Sequence, residues 1–400
     1  MSTLSQFGGG GNPVGAFVYA PYNITDPAYL LCNGAKLVRT AYPLYAALQP
    51  VGTFTPTTRT KGASSASVAI FADSTNFIAS AAANTSLSIQ TSPDAVTWTT
   101  RTTPNVAGIN AILGDGTNIV AVPDSTGVVT AAIYSANSGV AWTATATAGV
   151  NTAASAQPSV LCQAPTLGTV GRFLLITSSG QVATSDDRGV TWTVYSHGTG
   201  FTFLVACWTG TKYIALTTTQ GTIMTSTTGL TGSWTAQAVA FPQSWSSTLA
   251  HIVSDGAGKV LIVDVSAGAV TVSTDSMATY STRSFASNAI SPASTQAAFN
   301  LSVPSYANGR FFSAANTGIS RGFIVSADLT AWLYMPDVQP AAATLWGFAF
   351  KSGVYLASYP STQAMTLVED NTKVYLPAGV QSITGQYGAG NNFNTYVKVK

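Results

Sequence analysis

Acidic chemistry has little to work with in this chain: 14 carboxylates in 400 residues, of which one, Glu369, is a glutamate. No acid lies between Asp26 and Asp73, or between Asp124 and Asp186. The nearest approach to paired acids is Asp186-Asp187, which falls in a Ser-rich turn where side chains bond backbone. The two histidines, His197 and His251, form neither an H-x-x-x-H nor an H-E-x-x-H arrangement, so no metal site is expected. Cys32, Cys162 and Cys207 are odd in number and far apart, which suits buried reduced thiols better than a disulfide framework or a metal knuckle. No G-x-S-x-G elbow occurs, and Gly8 to Gly11 run into Asn12-Pro13 rather than a helix, so they read as linker and not as a phosphate loop. No catalytic residue, metal or cofactor is expected from these patterns.

What repeats instead is a turn. Ser185-Asp186-Asp187-Arg188-Gly189-Val190-Thr191-Trp192 is its clearest copy. Looser copies run from Ser92 through Asp94 to Trp98, from Ser135 through Asn137 to Trp142, and from Ser226 to Trp234. Two more run from Ser273 through Asp275 to Tyr280 and from Ser326 through Asp328 to Trp332, with a faint seventh at Glu369-Asp370 to Tyr375. The aromatic ends recur about every 46 residues, the mark of one supersecondary unit repeated. Each unit reads as short strands: Ser67 to Phe71, Phe77 to Ala81, Leu87 to Thr91 and Trp98 to Thr100 in the first. Four strands per period with no intervening helix select an all-β propeller of four-stranded blades. Residues 345–368 carry the strand plan of a seventh blade; six blades is the alternative if those strands belong elsewhere.

Composition agrees with a folded all-β chain. Charged residues are 8 % and apolar ones 46 %, with mean hydropathy +0.27, so low charge does not signal disorder. Eight Arg and eight Lys are scattered without a basic run, and the net charge of +2 gives nucleic acid no electrostatic footprint. No apolar run reaches membrane-span length, and Met1 to Gly15 lack the charged and apolar regions of a secretory signal, so assembly in a cytoplasm is expected. The organisation expected is a flexible or partner-bound lead-in at 1–15, a small unit at 15–60, the propeller at 61–378, and a segment 379–400 that rejoins the small unit. Within that unit Leu30 to Gly34 reads as a strand and turn, and Arg39 to Leu48 as a helix capped by Thr40.

The repeated Ser-x-Asp-x-Gly-x-x-Trp pattern resembles the Asp-box, or BNR, repeat over most of residues 63–375. Ser185, Asp187, Gly189 and Trp192 match every position; the other copies are placed by register. That resemblance implies structural roles for Asp94, Trp98, Asn137, Trp142, Trp234, Asp275, Tyr280, Asp328 and Trp332. Asp-box propellers include sialidases, which use an arginine cluster, a Tyr nucleophile with a Glu partner, and an acid; the eight arginines here show no such placement. A second resemblance, over about 35 residues, is to the phage tail-collar domain of tail-fibre tips. It is carried by Val14 to Phe17, Tyr29 to Gly34 with Cys32, Asn33 and Gly34, and Arg39 to Leu48 with Arg39, Tyr42 and Pro43. The end, Asn394 to Lys400, is similar to the terminus of such proteins.

The collar resemblance implies a virion protein of a phage tail, a homotrimer joined to other tail or baseplate proteins. The function expected is a non-catalytic receptor-binding protein that recognises a bacterial surface glycan or protein. A structural virion component and a sialidase-like glycan hydrolase are the alternatives. Ligand contacts are sought in aromatic connections on the face away from the Asp-box turns: Tyr195 and His197 in one, Phe241 and Trp245 in another.

Overall fold

A computed structural model describes residues 17–20, 29–31, 36–46, 53–60, 69–80, 89–104, 108–124, 132–145, 160–176, 181–195, 200–218, 222–238, 250–264, 269–284, 300–301, 304–316, 321–330, 332–336, 347–358, 363–375, 381–382 and 392–398. It is a seven-bladed β-propeller, which settles the blade count against six. Blade 1 runs Ile70–Ala72, Phe77–Ser80, Ile89–Ser92, Thr99–Arg101 from inside out. Blades 2 to 5 repeat that antiparallel order over residues 108–144, 160–195, 203–238 and 250–284. In blade 6 the inner strand comes in two pieces, Asn300–Leu301 and Ser305–Ala307, both paired with Arg310–Asn316.

Blade 7 is assembled from both sides of the ring. Gly347–Lys351, Val354–Ser358 and Gln363–Asp370 supply three strands, and Thr53–Thr60 supplies the outermost. The sequence reading placed that last strand in the small N-terminal unit. Its pairing runs over eight positions, from Thr53↔Asp370 to Thr60↔Gln363. Closing the ring this way removes the need for a turn between third and fourth strands.

The core is a ring of seven packed seams. Alternation explains it, because successive side chains of a strand point to opposite faces and both faces of every blade are covered. In blade 3, Phe173 and Leu175 pack toward blade 2, while Leu174 and Ile176 pack toward blade 4. The seam of blades 7 and 1 gathers Phe77, Ala95, Ala349, Leu356 and Ala364. Burial on two sides is why the strands read as continuous apolar runs. Cys162 and Cys207 are buried free thiols in this layer, and burial pushes both up, away from thiolate.

The chain ends build a small unit of their own. Asn392–Lys398 pairs with Phe17–Ala20 on one side and Tyr29–Leu31 on the other, and Lys36–Val38 pairs with Lys373–Tyr375. The described part of the expected helix over Arg39 to Leu48 is broken in two, a 3-10 turn Arg39–Ala41 and then one α-turn Pro43–Ala46; Ala47 and Leu48 lie outside the described residues. Val38, not Thr40, occupies the position before the first turn and makes no side-chain cap. The break falls at Tyr42 (φ −136°, ψ 60°), because the ring of Pro43 drives its predecessor out of the helical region. No helix among the described residues is long and apolar enough to cross a membrane.

Candidate functional site

Each blade has two ends. At one, the turns between first and second strands sit beside those between third and fourth strands; this is the box end. The best-formed box, in blade 3, shows how. Ser185 Oγ donates to Asp187 Oδ1 (2.8 Å) and accepts from Gly189 N (2.8 Å). Asp187 Oδ1 accepts from Thr191 N (2.9 Å), Asp187 Oδ2 accepts from the Thr191 hydroxyl (2.6 Å), and Trp192 Nε1 donates to Gly189 O (3.1 Å). Burial raises the Asp187 pKa, but the hydrogen bonds from Thr191 and Ser185 outweigh it and leave the carboxyl below its ordinary value. Asp94 is held low chiefly by the amides of Thr97 and Val96, and Asp275 by the hydroxyl and amide of Thr279. These carboxylates act as turn braces.

The boxes come in two lengths, which the sequence pattern alone does not separate. In the long form the Ser hydroxyl accepts from the amide four residues on, at Gly139, Gly189 and Met277. In the short form the partner is three residues on, at Gly229 and Leu329. The residue so held has a left-handed backbone and points into the preceding blade. Met277 and Leu329, at φ 66° each, are fully buried there, as is Ala95 at φ 60°. Where the neighbour fills the space, the plug is glycine: a Cβ on Gly189 would lie 2.4 Å from Val120 Cγ2. This variation explains why the copies with Ala95, Met277 and Leu329 lack the pattern's Gly. Its signal was a residue that is either Gly or apolar directly before an exposed position.

A polar tie crosses every seam at the box end. Asn76 Nδ2 donates to Ser138 O (3.0 Å), Arg188 Nε to Asp115 Oδ2 (3.1 Å), and Arg172 Nη1 to Thr228 O (2.7 Å). Gln237 Nε2 reaches Met277 O (3.1 Å), Lys259 Nζ reaches Ala327 O (3.2 Å), and Lys351 Nζ closes the ring on Pro93 O (2.6 Å). Asp186, the other half of the apparent acid pair, is taken by Arg172 through two bonds of 2.7 Å. That pairing, most of all, raises the Arg172 pKa.

The sixth-to-seventh seam holds the arrangement that most resembles a reactive centre. Tyr355 OH donates to Glu369 Oε2 (3.2 Å), Arg310 donates twice to Glu369 Oε1 (3.0 and 3.2 Å), and Asn308 Nδ2 donates to Tyr355 OH (3.1 Å). A Tyr–Glu pair beside Arg has the composition of sialidase chemistry. Its setting is a packed seam: the Tyr355 ring is fully buried against Phe54, Phe312 and Phe350, and burial pushes its phenol up to about 12. A phenol raised by burial is a poor nucleophile near neutrality. No local pattern points to this cluster, since its members lie on two blades.

The anticipated site residues do not converge. The box residues are spread one set per blade, with Trp142, Trp192 and Trp234 buried as packing groups. Tyr195 ends the outer strand of blade 3, opposite Val182. His197, Phe241 and Trp245 lie outside the described residues, as do Cys32, Asn33 and Gly34. Arg39, Tyr42 and Pro43 sit where the small unit meets blade 7: Arg39 N donates to Thr372 O (2.7 Å) and Arg39 Nε to Asn371 O (3.1 Å). Thr53, where the chain enters the propeller, is paired with Asp370, where it leaves. Both connections to the small unit are therefore at the box end of one blade. No cluster of metal-ligating side chains occurs among the described residues.

No protein-family profile and no curated protein sequence matches the chain. Solved structures do. A YCF48 structure bound to a D1 peptide is similar with TM-score 0.57 at 13 % identity, over 79 % of this chain and 95 % of that one. Virginiamycin B lyase from Staphylococcus aureus gives 0.58 at 10 % identity, over 80 % and 100 %. A GH74 enzyme from Niastella koreensis gives 0.53 at 17 %, over 76 % of this chain and 44 % of its own. At such identities the likeness is one of fold.

Proposed function

We propose that this chain is a non-catalytic receptor-binding protein of a phage tail, recognising a bacterial surface glycan or protein. The observation that carries the reading is the side-by-side arrangement of Thr53 and Asp370 at the box end of blade 7. It joins the propeller to the chain-end unit at one end and leaves the other end free of covalent attachment. That is the layout of a presented domain on a mount, and the tail-collar resemblance of residues 14–48 supplies the kind of mount. Support also comes from the acids. The one glutamate is committed to Arg310 and Tyr355, and the box aspartates to their own turns. Partners on this reading are other tail or baseplate proteins, with the protein carried in the virion.

The test is incubation of the purified chain with a panel of bacterial cells and their isolated surface polysaccharides, scoring bound protein and released sugar together. Saturable binding to one strain without sugar release is expected. Released oligosaccharide would replace the adhesin with a hydrolase, and binding to no strain would favour a structural tail part.

A further inference from the structure

The outer strands of blades 7 and 1 repeat one side-chain pair. Arg59 lies opposite Ala364, and its Nε donates to the hydroxyl of Thr366, two residues on (3.1 Å). Arg101 lies opposite Ile89, and its Nε donates to the hydroxyl of Thr91, again two residues on (2.8 Å). Both arginines are half-buried at the far end of their strands, away from the boxes. Ala364 packs in the seam of blades 7 and 1 and Ile89 in that of blades 1 and 2, so the two guanidiniums stand over adjacent grooves. Blade 5 has Arg283 opposite Val270, but Val272 takes the place of the threonine. The last paired positions of the outer strands in blades 2, 3, 4 and 6 are Ala144, Tyr195, Ala238 and Pro336.

Neither cation is matched by an acid. Arg172, Arg188 and Arg310 are each ion-paired with a carboxylate. Among the described residues Arg59 and Arg101 have no such pair, and their Nη nitrogens have no partner. The acids of blades 7, 1 and 2 gather at the box end, as Asp73, Asp94, Asp115, Glu369 and Asp370, with Asp124 alone at the other. The far-end connections of the three blades, residues 61–69, 81–88, 102–107, 125–132 and 359–362, contain no acid and add Lys61. Around the arginines the rim is rich in hydroxyls: Thr55, Thr57, Thr58 and Thr60 on one strand, Thr99 and Thr100 on the other, are exposed.

We infer that this rim binds an acidic glycan, through carboxylate or phosphate groups spaced along a sugar chain. Each threonine hydroxyl holds the plane of its guanidinium by Nε and leaves the two Nη nitrogens as a fork, the geometry that oxyanions accept. The exposed threonines offer donors and acceptors to the sugar hydroxyls between the anions. The inference deepens the adhesin reading and rests on it for its use: it puts receptor contact at the far end, opposite the mount.

Binding of the full chain to three soluble polymers tests it: polygalacturonate, which carries carboxylates, poly(glycerol phosphate), and neutral dextran. Binding to at least one charged polymer, weakened by added salt, and none to dextran is expected; the polymer bound tells carboxylate from phosphate. Arg59→Gln with Arg101→Gln should weaken that binding about a hundredfold. Arg59→Lys with Arg101→Lys should weaken it about tenfold, because lysine keeps the charge and loses the fork. Both pairs should keep the wild-type circular dichroism, since each change removes one bond at the edge of a blade. Lys212→Gln with Lys373→Gln, which removes the same charge at the box end, should bind as the wild type does. No charged polymer bound, equal binding of dextran, glutamine variants of the arginines that bind as the wild type does, or an equal loss in the box-end variant would each overturn the inference. Arginine-dependent polymer binding without attachment to any cell would leave it standing and remove the adhesin reading alone. Attachment to a cell that is undiminished in the arginine-to-glutamine variant would do the reverse.

Discussion

Blades 3 and 7 share a plan and differ in how the outer strand is supplied. Blade 3 is continuous from Val160 to Tyr195, and its third and fourth strands are joined by the fully braced box. Blade 7 has no such join: Asp370 braces Thr372 instead, and the outer strand comes from Thr53–Thr60. Yet both blades have buried middle strands and a packed seam on either side. The box is thus a local device for one hairpin, and a chain can do without it where a long ladder and the seams hold the strand. Seams are common to all seven blades; boxes are not.

If that is right, the largest loss should come from the seam that the distant strand completes. Phe54 is 1 % exposed, with edge contacts to Phe312 at 6.1 Å and Tyr355 at 5.8 Å. Phe54→Ala should cost about 3–5 kcal/mol in chemical unfolding. It should also speed amide exchange in Thr53–Thr60 ahead of blade 3; uniform exchange would erase the contrast. Next comes Gly189→Ala in the blade-3 box, where the left-handed backbone and the contact with Val120 together should cost about 2–4 kcal/mol. Val120→Ala in that background should recover the packing part. Gly353→Ala, in a blade-7 turn with φ +82° and nothing near, should cost only about 1 kcal/mol.

Smaller still, Asp187→Ala should lose about 1 kcal/mol with its turn bonds. Asp370→Ala, at an exposed carboxyl outside any box, should shift the midpoint less. Smallest is the acid effect. The carboxyls of Asp94, Asp187 and Asp275 titrate below the ordinary 3.8 when folded. Their stabilisation is therefore complete above that value and is lost as pH falls through the lowered folded values. An acid titration of the melting temperature should flatten in Asp187→Asn; an unchanged slope would show that the box carboxylates do not govern it.

Much of this fold is legible in the chain. The period of the Ser-to-Trp turns reports the blades because each hairpin needs its own brace. The strand at Thr53–Thr60 was not legible: a partner some 300 residues away leaves no local trace, and the small unit was read to run through residue 60. Short boxes were read as degenerate copies, although Leu329 and Ala95 do the plug's work one residue earlier. Least visible was the Arg310–Glu369–Tyr355 cluster, since a charge pair between blades is a fact of packing. Of the proposed ligand contacts, only Tyr195 lies among the described residues.

The neighbouring positions of Thr53 and Asp370 also bear on mechanics. A particle held by its chain ends and tugged from the far end of the propeller draws on both strands from the same side. They move as one, so the eight-position ladder between them is not sheared. Tension passes instead to the ladder between Val354–Ser358 and Gln363–Asp370, which is pulled lengthwise and must lose its five pairings together. Peeling, in which bonds fail one at a time, is avoided.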